Sequence, residues 1–382
     1  MLHHVGVGTA TVVVAGLGVG SYRVFDNGVL DAGHGSAYDA WSNWREDRTP
    51  LGAVAAAILA ANPHNTQPWI FGVADDRVEV FADRSRRAGT LDALDREHHI
   101  GLGCALENLV LAAAARGFQT SVKLLPDADD TTHVATVSLA VGTKESSPLH
   151  DAIGDRHSNR GPYTSSPVVA DVLGRLESVA VGLDAVGVRW FTSSADRASL
   201  GDLIIDATQA IIDDEQQSKD SFAWLRMTRD QIDAHMDGLT LDTQGLSPLV
   251  LAAAKILPAT SRVAGDSFWL DQTRTVHTKT AAAYGVIVVA DPADPRQRLV
   301  GGRLLQRLHL AATVEGLGLQ HMNQITERVD RAVALGQPPT FASGMDALLA
   351  DPDRHVLSTF RIGHPVRAGR LSPRRPVSQV TR

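Results

Sequence analysis

Cysteine is almost missing: Cys104 is the only one in 382 residues. An intramolecular disulfide and a cysteine-based metal cage are therefore excluded. Cys104 falls inside an apolar helical pattern and reads as a small packed hydrophobe. The 15 histidines show no His-Glu-x-x-His or similar ligand spacing, so no metal site is expected. Basic character is lacking too. A net charge of −7 and a pI near 6.1 argue against a nucleic-acid partner. Residues 1–22 contain no Asp, Glu, Lys or Arg, and Val5–Val19 is mostly Val, Gly and Ala. That run has the length of an export-signal core or a marginal membrane span, although its four glycines weaken it as a helix. Residues 1–36 are read as a hydrophobic signal-like or anchor-like segment with its linker. A membrane-associated or envelope location is expected, with a cytoplasmic one as the alternative.

What is present centres on Asn62-Pro63-His64-Asn65-Thr66-Gln67-Pro68-Trp69. It follows an Ala-rich apolar run, Leu51–Ala61, that reads as a helix stopped by Pro63. Two prolines are expected to hold the segment extended, because the residue before each is steered out of the α region. Asn65 and Gln67 each offer two donors and an acceptor. Such an amide strip suits the edge of a flat heterocycle; the alternative is a helix stop before a buried Trp.

The segment resembles the Asn-x-Gln-Pro-Trp signature of the nitroreductase family. That resemblance implies an FMN-binding α+β fold, a dimer with its flavins at the subunit interface, and roles for Asn62, Pro63, His64, Asn65 and Gln67 around the cofactor. Relatives usually carry Ser where this chain has Asn62.

Ile100–Phe118 and Leu299–Leu317 look alike. Offset by 199 positions, Gly103, Leu106, Leu109, Leu111, Ala112, Ala113 and Gly117 recur as Gly302, Leu305, Leu308, Leu310, Ala311, Ala312 and Gly316. The Leu and Ala residues recur at helical spacing, and the closing Gly suits a helix C-terminus. Two tandem repeats, 37–146 and 147–382, are therefore expected. Given the resemblance, they would pack as an intramolecular pseudo-dimer, leaving the globular part monomeric. Strands are expected at Val78–Phe81, Val134–Val141, Val186–Phe191 and Val286–Ala290. Helices are expected at Leu51–Ala61, Ile100–Arg116, Ser199–Gln217 and Leu299–Glu315.

Arg156-His157-Ser158-Asn159-Arg160 opens the second repeat. Arginines two positions either side of a serine point one way in an extended stretch, and guanidinium forks grip phosphate oxygens bidentately. The stretch resembles the family's Arg-x-Ser-x-Arg phosphate motif, which implicates Arg156, Ser158, Asn159 and Arg160. Residues 361–382 hold six arginines and no acid. There Ser372-Pro373-Arg374-Arg375-Pro376 resembles the family's final phosphate-contacting stretch, with Arg374 in that role and Arg375 beside it. Arg84-Ser85-Arg86-Arg87 is a rival cluster, read as surface. Gln320, His321, Met322 and Asn323 stand, by chain order, where relatives turn backbone amides towards flavin N5; Met322 or Asn323 would supply the N–H.

Each motif occurs once, which implies one flavin site per chain. An insert at about 229–258, punctuated by Gly and Pro from Asp237 to Pro258, reads as a lid, with Arg226 or Arg229 near the flavin's N1/O2 edge. No catalytic acid–base residue is assigned. The resemblance extends to an internally duplicated single-site branch that includes the mycobacterial Acg-like proteins. Two functions follow: an NAD(P)H-dependent oxidoreductase of nitroaromatic or quinone-type substrates, or a lid-covered FMN-storage protein with little turnover.

Overall fold

A computed structural model describes residue 29 and residues 32–257 and 260–382. The apolar run at residues 1–22 lies outside the described residues. Among those described, no helix is long and apolar enough to cross a membrane.

The architecture is α+β. Strands β1 (Trp69–Val73), β2 (Arg77–Ala82), β3 (Phe118–Leu124) and β4 (His133–Val141) form an antiparallel sheet in the order β1-β2-β4-β3. After β5 (Val186–Phe191) come two short strands, β6 (Leu225–Arg226) and β7 (Leu239–Thr240), which pair in parallel with each other. Strands β8 (Ala283–Val289), β9 (Gly318–His321) and β10 (His355–Gly363) join β5 in a second antiparallel sheet, ordered β5-β8-β10-β9. The two sheets share one topology. In each, a long helix separates the second strand from the third: Arg96–Ala115 in the first, Pro295–Val314 in the second.

These two helices pack against each other in the middle of the molecule, each also lying on its own sheet. They meet at Gly103 and Gly302. A Cβ on Gly103 would stand 2.1 Å from the Leu299 carbonyl oxygen, and one on Gly302 would stand 2.2 Å from that of Ile100. The contacts are reciprocal and carry the 199-residue offset seen in the sequence. Only glycine permits so close a backbone approach. One turn on, the buried Glu107 carboxylate accepts from Arg303 Nε and Arg307 Nε, both at 2.6 Å, across the same crossing.

Strand β8 is buried throughout, as its run of apolar residues requires. Ala283, Ile287 and Val289 face the central helices, whereas Tyr284, Val286 and Val288 pack with Leu200, Ile204 and Met345 on the outer face. The chain's last residues leave the second sheet for the first: Phe71 N donates to Val380 O (2.7 Å) and Arg382 N to Phe71 O (2.9 Å). This crossing brings residues 372–375 beneath the Asn62–Trp69 segment.

Three expectations need correction. The helix expected over Ser199–Gln217 is two, Ser194–Asp213 and Glu215–Phe222, because the Asp214 carboxylate accepts from Gln216 N and Gln217 N and caps the second. The Leu51–Ala61 helix ends at Ala57. Strand β1, which opens on the buried Trp69, is not among the expected strands.

Candidate functional site

A cavity of about 420 Å³ lies between the first central helix, the Asn62–His64 turn, strand β9 and the segment after Ser221. Its size suits a small aromatic cofactor or ligand.

The Asn62–Trp69 segment is not extended. Asn62 is (φ −160°), as a residue before proline should be, but Pro63–Asn65 forms a 3-10 turn. His64, Asn65 and Gln67 then take positive φ of 48°, 55° and 53°. Side chains hold this strained course. Asn62 Oδ1 accepts from Gln67 N (2.7 Å); Asn65 Nδ2 donates to Gly238 O (3.2 Å) and Pro373 O (2.9 Å). Gln67 Nε2 donates to Met236 O (2.8 Å), and Gln67 Oε1 accepts from Arg375 N (2.8 Å). The amides of Asn65 and Gln67 are thus engaged with the protein and lie outside the cavity lining, which takes only Asn62, Pro63 and His64 from the segment. Asn65→Ala should lower stability by roughly 2–4 kcal/mol in a denaturant titration, through three lost hydrogen bonds and a non-glycine residue left at positive φ.

Arg156 and Arg374 converge, outside the cavity lining. Arg156 (2 % exposed) and Arg374 (3 %) both donate to the Leu59 carbonyl, at 2.8 and 3.3 Å, and both lie over the Trp41 ring. Arg374 also donates to Asn65 Oδ1, Ser372 Oγ and two further carbonyls; Arg156 meets His309 Nδ1 at 3.3 Å. The Nε of each guanidinium is buried without a partner. Arg160 lines the cavity with Ser158 and donates to Thr243 O (3.2 Å). Among the described residues none of these three arginines has a carboxylate within ion-pair distance. Burial pushes Arg156 and Arg160 down to about 10. Burial, reinforced by the arginines, holds His64 near 4 and His157 and His321 near 3.

Other expected site residues have structural roles. Asn159 ties the chain to Arg367 O (2.7 Å) and Gly161 N (3.0 Å). Arg375 donates to Gln379 O and faces Asp83. Met322 is fully buried and its N–H donates to Thr359 O (2.7 Å), so that N–H is not available to a flavin. Gln320, His321 and Asn323 line the cavity. Gln320 Oε1 accepts from Arg361 Nε (2.7 Å), and Asn323 Oδ1 accepts from Ser358 Oγ and Thr359 N (3.0 Å each). Arg226 reaches the cavity, but its charge is committed to Asp237 at 2.7 Å. Arg86, read as surface, is largely buried and pairs with the same Asp237 while donating to Thr66 O.

The 229–258 segment supplies Leu239, Thr240, Leu241, Gln244, Leu246, Val250 and Ala254 to the cavity wall. A buried pair, Lys255 Nζ to Asp242 Oδ2 (2.8 Å), fixes its far end. The wall continues past the expected insert: the Arg262–Gln272 helix contributes Asp266, Trp269 and Gln272 from one face.

Sequence reasoning missed Glu97 and Glu327, which also line the cavity. Their carboxyls lie in hydrogen-bonding contact; burial, with the charges of Asp92 and Asp330, raises both, Glu327 further raising Glu97 while the bond from Glu97 offsets part of the rise of Glu327, which is pushed up to about 8. The neutral form is favoured in the fold, so this pair stabilises fully below about pH 4.5 and loses that contribution as pH rises through about 8. The buried histidines act oppositely, losing stability as pH falls below 6.5 towards 4 and 3. Thermal melts should therefore fall off on both sides of a near-neutral maximum, and Glu327→Gln should flatten the alkaline side.

No family profile matches the chain. Over 114 residues it is 33% identical to the Mycobacterium tuberculosis protein named "Putative NAD(P)H nitroreductase Rv3131", covering 29% of this chain and 33% of that one. Over 118 residues it is 31% identical to that organism's "Putative NAD(P)H nitroreductase acg", covering 30% and 36%. The chain thus matches about a third of the length of these curated relatives, and the resemblance to nitroreductases holds over that shared part. Among solved structures it is similar to the FMN-dependent nitroreductase NfnB from Mycobacterium smegmatis in complex with NADPH (TM-score 0.40, 14% identity, 62% of this chain, 97% of that one). A second is the NADPH:FMN oxidoreductase from Vibrio harveyi complexed with NAD+ (TM-score 0.34, 15% identity, 60% and 74%). Likenesses this loose fix neither site nor mechanism.

Proposed function

We propose that the chain is a nitroreductase-family flavoprotein that binds FMN and reduces nitroaromatic or quinone-type acceptors at the expense of NAD(P)H. The observation that carries this reading is the set Arg156, Arg160 and Arg374, two of them almost fully buried, with no carboxylate partner among the described residues. Burying guanidinium charge uncompensated is costly, and the unpartnered Nε donors of Arg156 and Arg374 call for an anion. A phosphate monoester supplies both the charge and the acceptors. Ser158, beside Arg160, adds a hydroxyl.

Ser158 and Arg160 reach the cavity while Arg156 and Arg374 lie outside its lining, and the reading places the FMN phosphate among these donors. Bound there, FMN would supply two-electron chemistry at its ring. The protein's part is positional. Arg156, Arg160 and Arg374 would hold the phosphate; Asn62, His64 and His321 border the ring's space. Leu241, Leu246 and Val250 would cover it. No residue needs to act as an acid or base towards the cofactor.

The matching sheet topologies and the Gly103–Gly302 crossing support reading the chain as two repeats packed as an intramolecular pseudo-dimer. One FMN per monomeric chain is then expected. Flavin released from a known amount of protein should plateau near a ratio of one, and light scattering should give the monomer mass. A ratio near two in a dimer would overturn this.

A second reading, FMN storage, is favoured by the extent of the cavity wall contributed by residues 239–254. Lys255→Met decides between the two. It leaves Asp242 buried without its cation, a change worth roughly 3–5 kcal/mol, which loosens this wall. Under storage, anaerobic NADPH should bleach the variant far faster than the wild type with FMN still bound. Brisk wild-type turnover, or an unchanged rate, leaves the oxidoreductase reading in place. The location of the chain, at an envelope or in the cytoplasm, is best tested by fractionation of expressing cells.

A further inference from the structure

The cavity wall built by the helices Pro248–Ile256 and Arg262–Gln272 is apolar on its outer side as well. On the first helix Leu251 and Lys255 are turned inward and buried, whereas Leu249 (82 % exposed) and Ala253, four residues apart, point outward. Leu257 (61 %) follows at the helix end. On the second helix Asp266 is buried, and Val263 (65 %), Ala264, Ser267 and Phe268 are exposed. Val250 and Phe268 belong to both sides: each lines the cavity and each is exposed outside it. Single exposed apolar residues are ordinary, but here five large ones flank one cavity within residues 249–268.

Charge around this face is of one sign. No Asp or Glu occurs between Asp242 and Asp266, and those two are buried in pairs with Lys255 and Arg262. Asp271, exposed one turn beyond Phe268, marks the limit of the face. At its other end Pro248 shares a small cleft of about 80 Å³ with Arg367 and Arg370. Both arginines are exposed, and neither has a carboxylate within ion-pair distance among the described residues. They stand in the stretch 361–382, which carries six arginines and no acid.

We propose that this face docks on an anionic lipid bilayer, its apolar side chains entering the interface while Arg367 and Arg370 meet the lipid phosphates. The protruding side chains are mostly aliphatic, which suits a disordered hydrocarbon layer; anchors into a shaped protein surface are more often Trp, Tyr or Arg. Because Val250 and Phe268 join the face to the cavity, a quinone dissolved in the bilayer would enter there. That consequence alone rests on the oxidoreductase reading, in which conversion of quinone to quinol takes a hydride from NAD(P)H and one proton from water.

The test uses the full chain with an environment-sensitive NBD label on Leu257→Cys; Cys104 is buried and stays unlabelled. Phosphatidylglycerol vesicles should shift the label's emission to the blue, and phosphatidylcholine vesicles should need about tenfold more lipid or higher to do so. The same label at Val141, exposed on β4, should not respond. Arg367→Gln with Arg370→Gln should raise half-saturating phosphatidylglycerol about tenfold or more, since each cation at an anionic surface contributes about a factor of five. Leu249→Ser with Val263→Ser should weaken binding on the order of tenfold. Vesicle binding without a response at residue 257 would place the contact elsewhere, such as on residues 1–22, and overturns the proposal. So does a label already blue-shifted before vesicles are added, which would mean that the chain itself or a second copy covers this face. Reduction of vesicle-borne decylubiquinone with NADPH should slow in the double arginine variant at limiting lipid, while a water-soluble naphthoquinone sulfonate is reduced at the wild-type rate. No reduction of either quinone counts against the oxidoreductase reading, and the label then decides the surface by itself.

Discussion

Replacing Arg156 and Arg160 together by alanine should weaken FMN binding by about two decades or more. Each charge-assisted hydrogen bond to a phosphate is worth roughly 1.5–3 kcal/mol, and every 1.4 kcal/mol is about a factor of ten. Arg156 is nearly sealed from solvent and holds only the Leu59 carbonyl and His309. Its removal therefore deletes a buried cation that has no carboxylate partner, and the flavin-free protein should lose little stability. The thermal shift produced by FMN is what should vanish; at a hundredfold excess over Kd, ligand adds about 2.7 kcal/mol to the wild type. Arg84→Ala is the control, since Arg84 is exposed and hydrogen-bonds only Thr131. Arg86 cannot serve, because it braces Asp237 and Thr66 beside the site. Unchanged FMN affinity in the double variant, with loss in the Arg84 control, would show that the phosphate lies elsewhere.

Gly103→Ala should be among the most damaging single methyls in the described residues. The added carbon would stand 2.1 Å from Leu299 O and 2.9 Å from Gly302 Cα, both backbone atoms of the opposing helix. Neither can rotate away, so the two central helices must separate. That loosens the Glu107 bonds to Arg303 and Arg307 and the packing of both sheets. Overpacking of this kind costs typically 1–3 kcal/mol and more where the backbone must move; the upper end or beyond is expected here. Gly302→Ala should match it, because the clash is reciprocal. Gly174→Ala, with nothing within 4 Å of its Cβ position in a short helix, should instead be neutral or stabilising by up to about 1 kcal/mol. Denaturant midpoints of the three variants check this. A mild Gly103→Ala would mean that the helices do not cross there in solution.

The sequence by itself determined what local chemistry fixes. Apolar residues at helical spacing, closed by Gly117 and Gly316 at positive φ, mark both central helices to within a few residues at their C-termini. That pattern recurs 199 positions apart, and the two helices that carry it pack against each other at the centre of the fold. The Arg156–Arg160 spacing drew attention to two arginines that have no carboxylate within ion-pair distance among the described residues. The course of Asn62–Trp69 was decided by tertiary contacts: Pro68 argued for an extended Gln67, yet bonds to Met236 and Arg375 hold it at φ 53°. Those partners lie 169 and 308 residues away, beyond the reach of any local rule. The same distance concealed Glu97 and Glu327. In the sequence each is an ordinary acid near a helix start; only the packing of two helices far apart in the chain buries both against one cavity and raises both carboxyls above the usual carboxylate range.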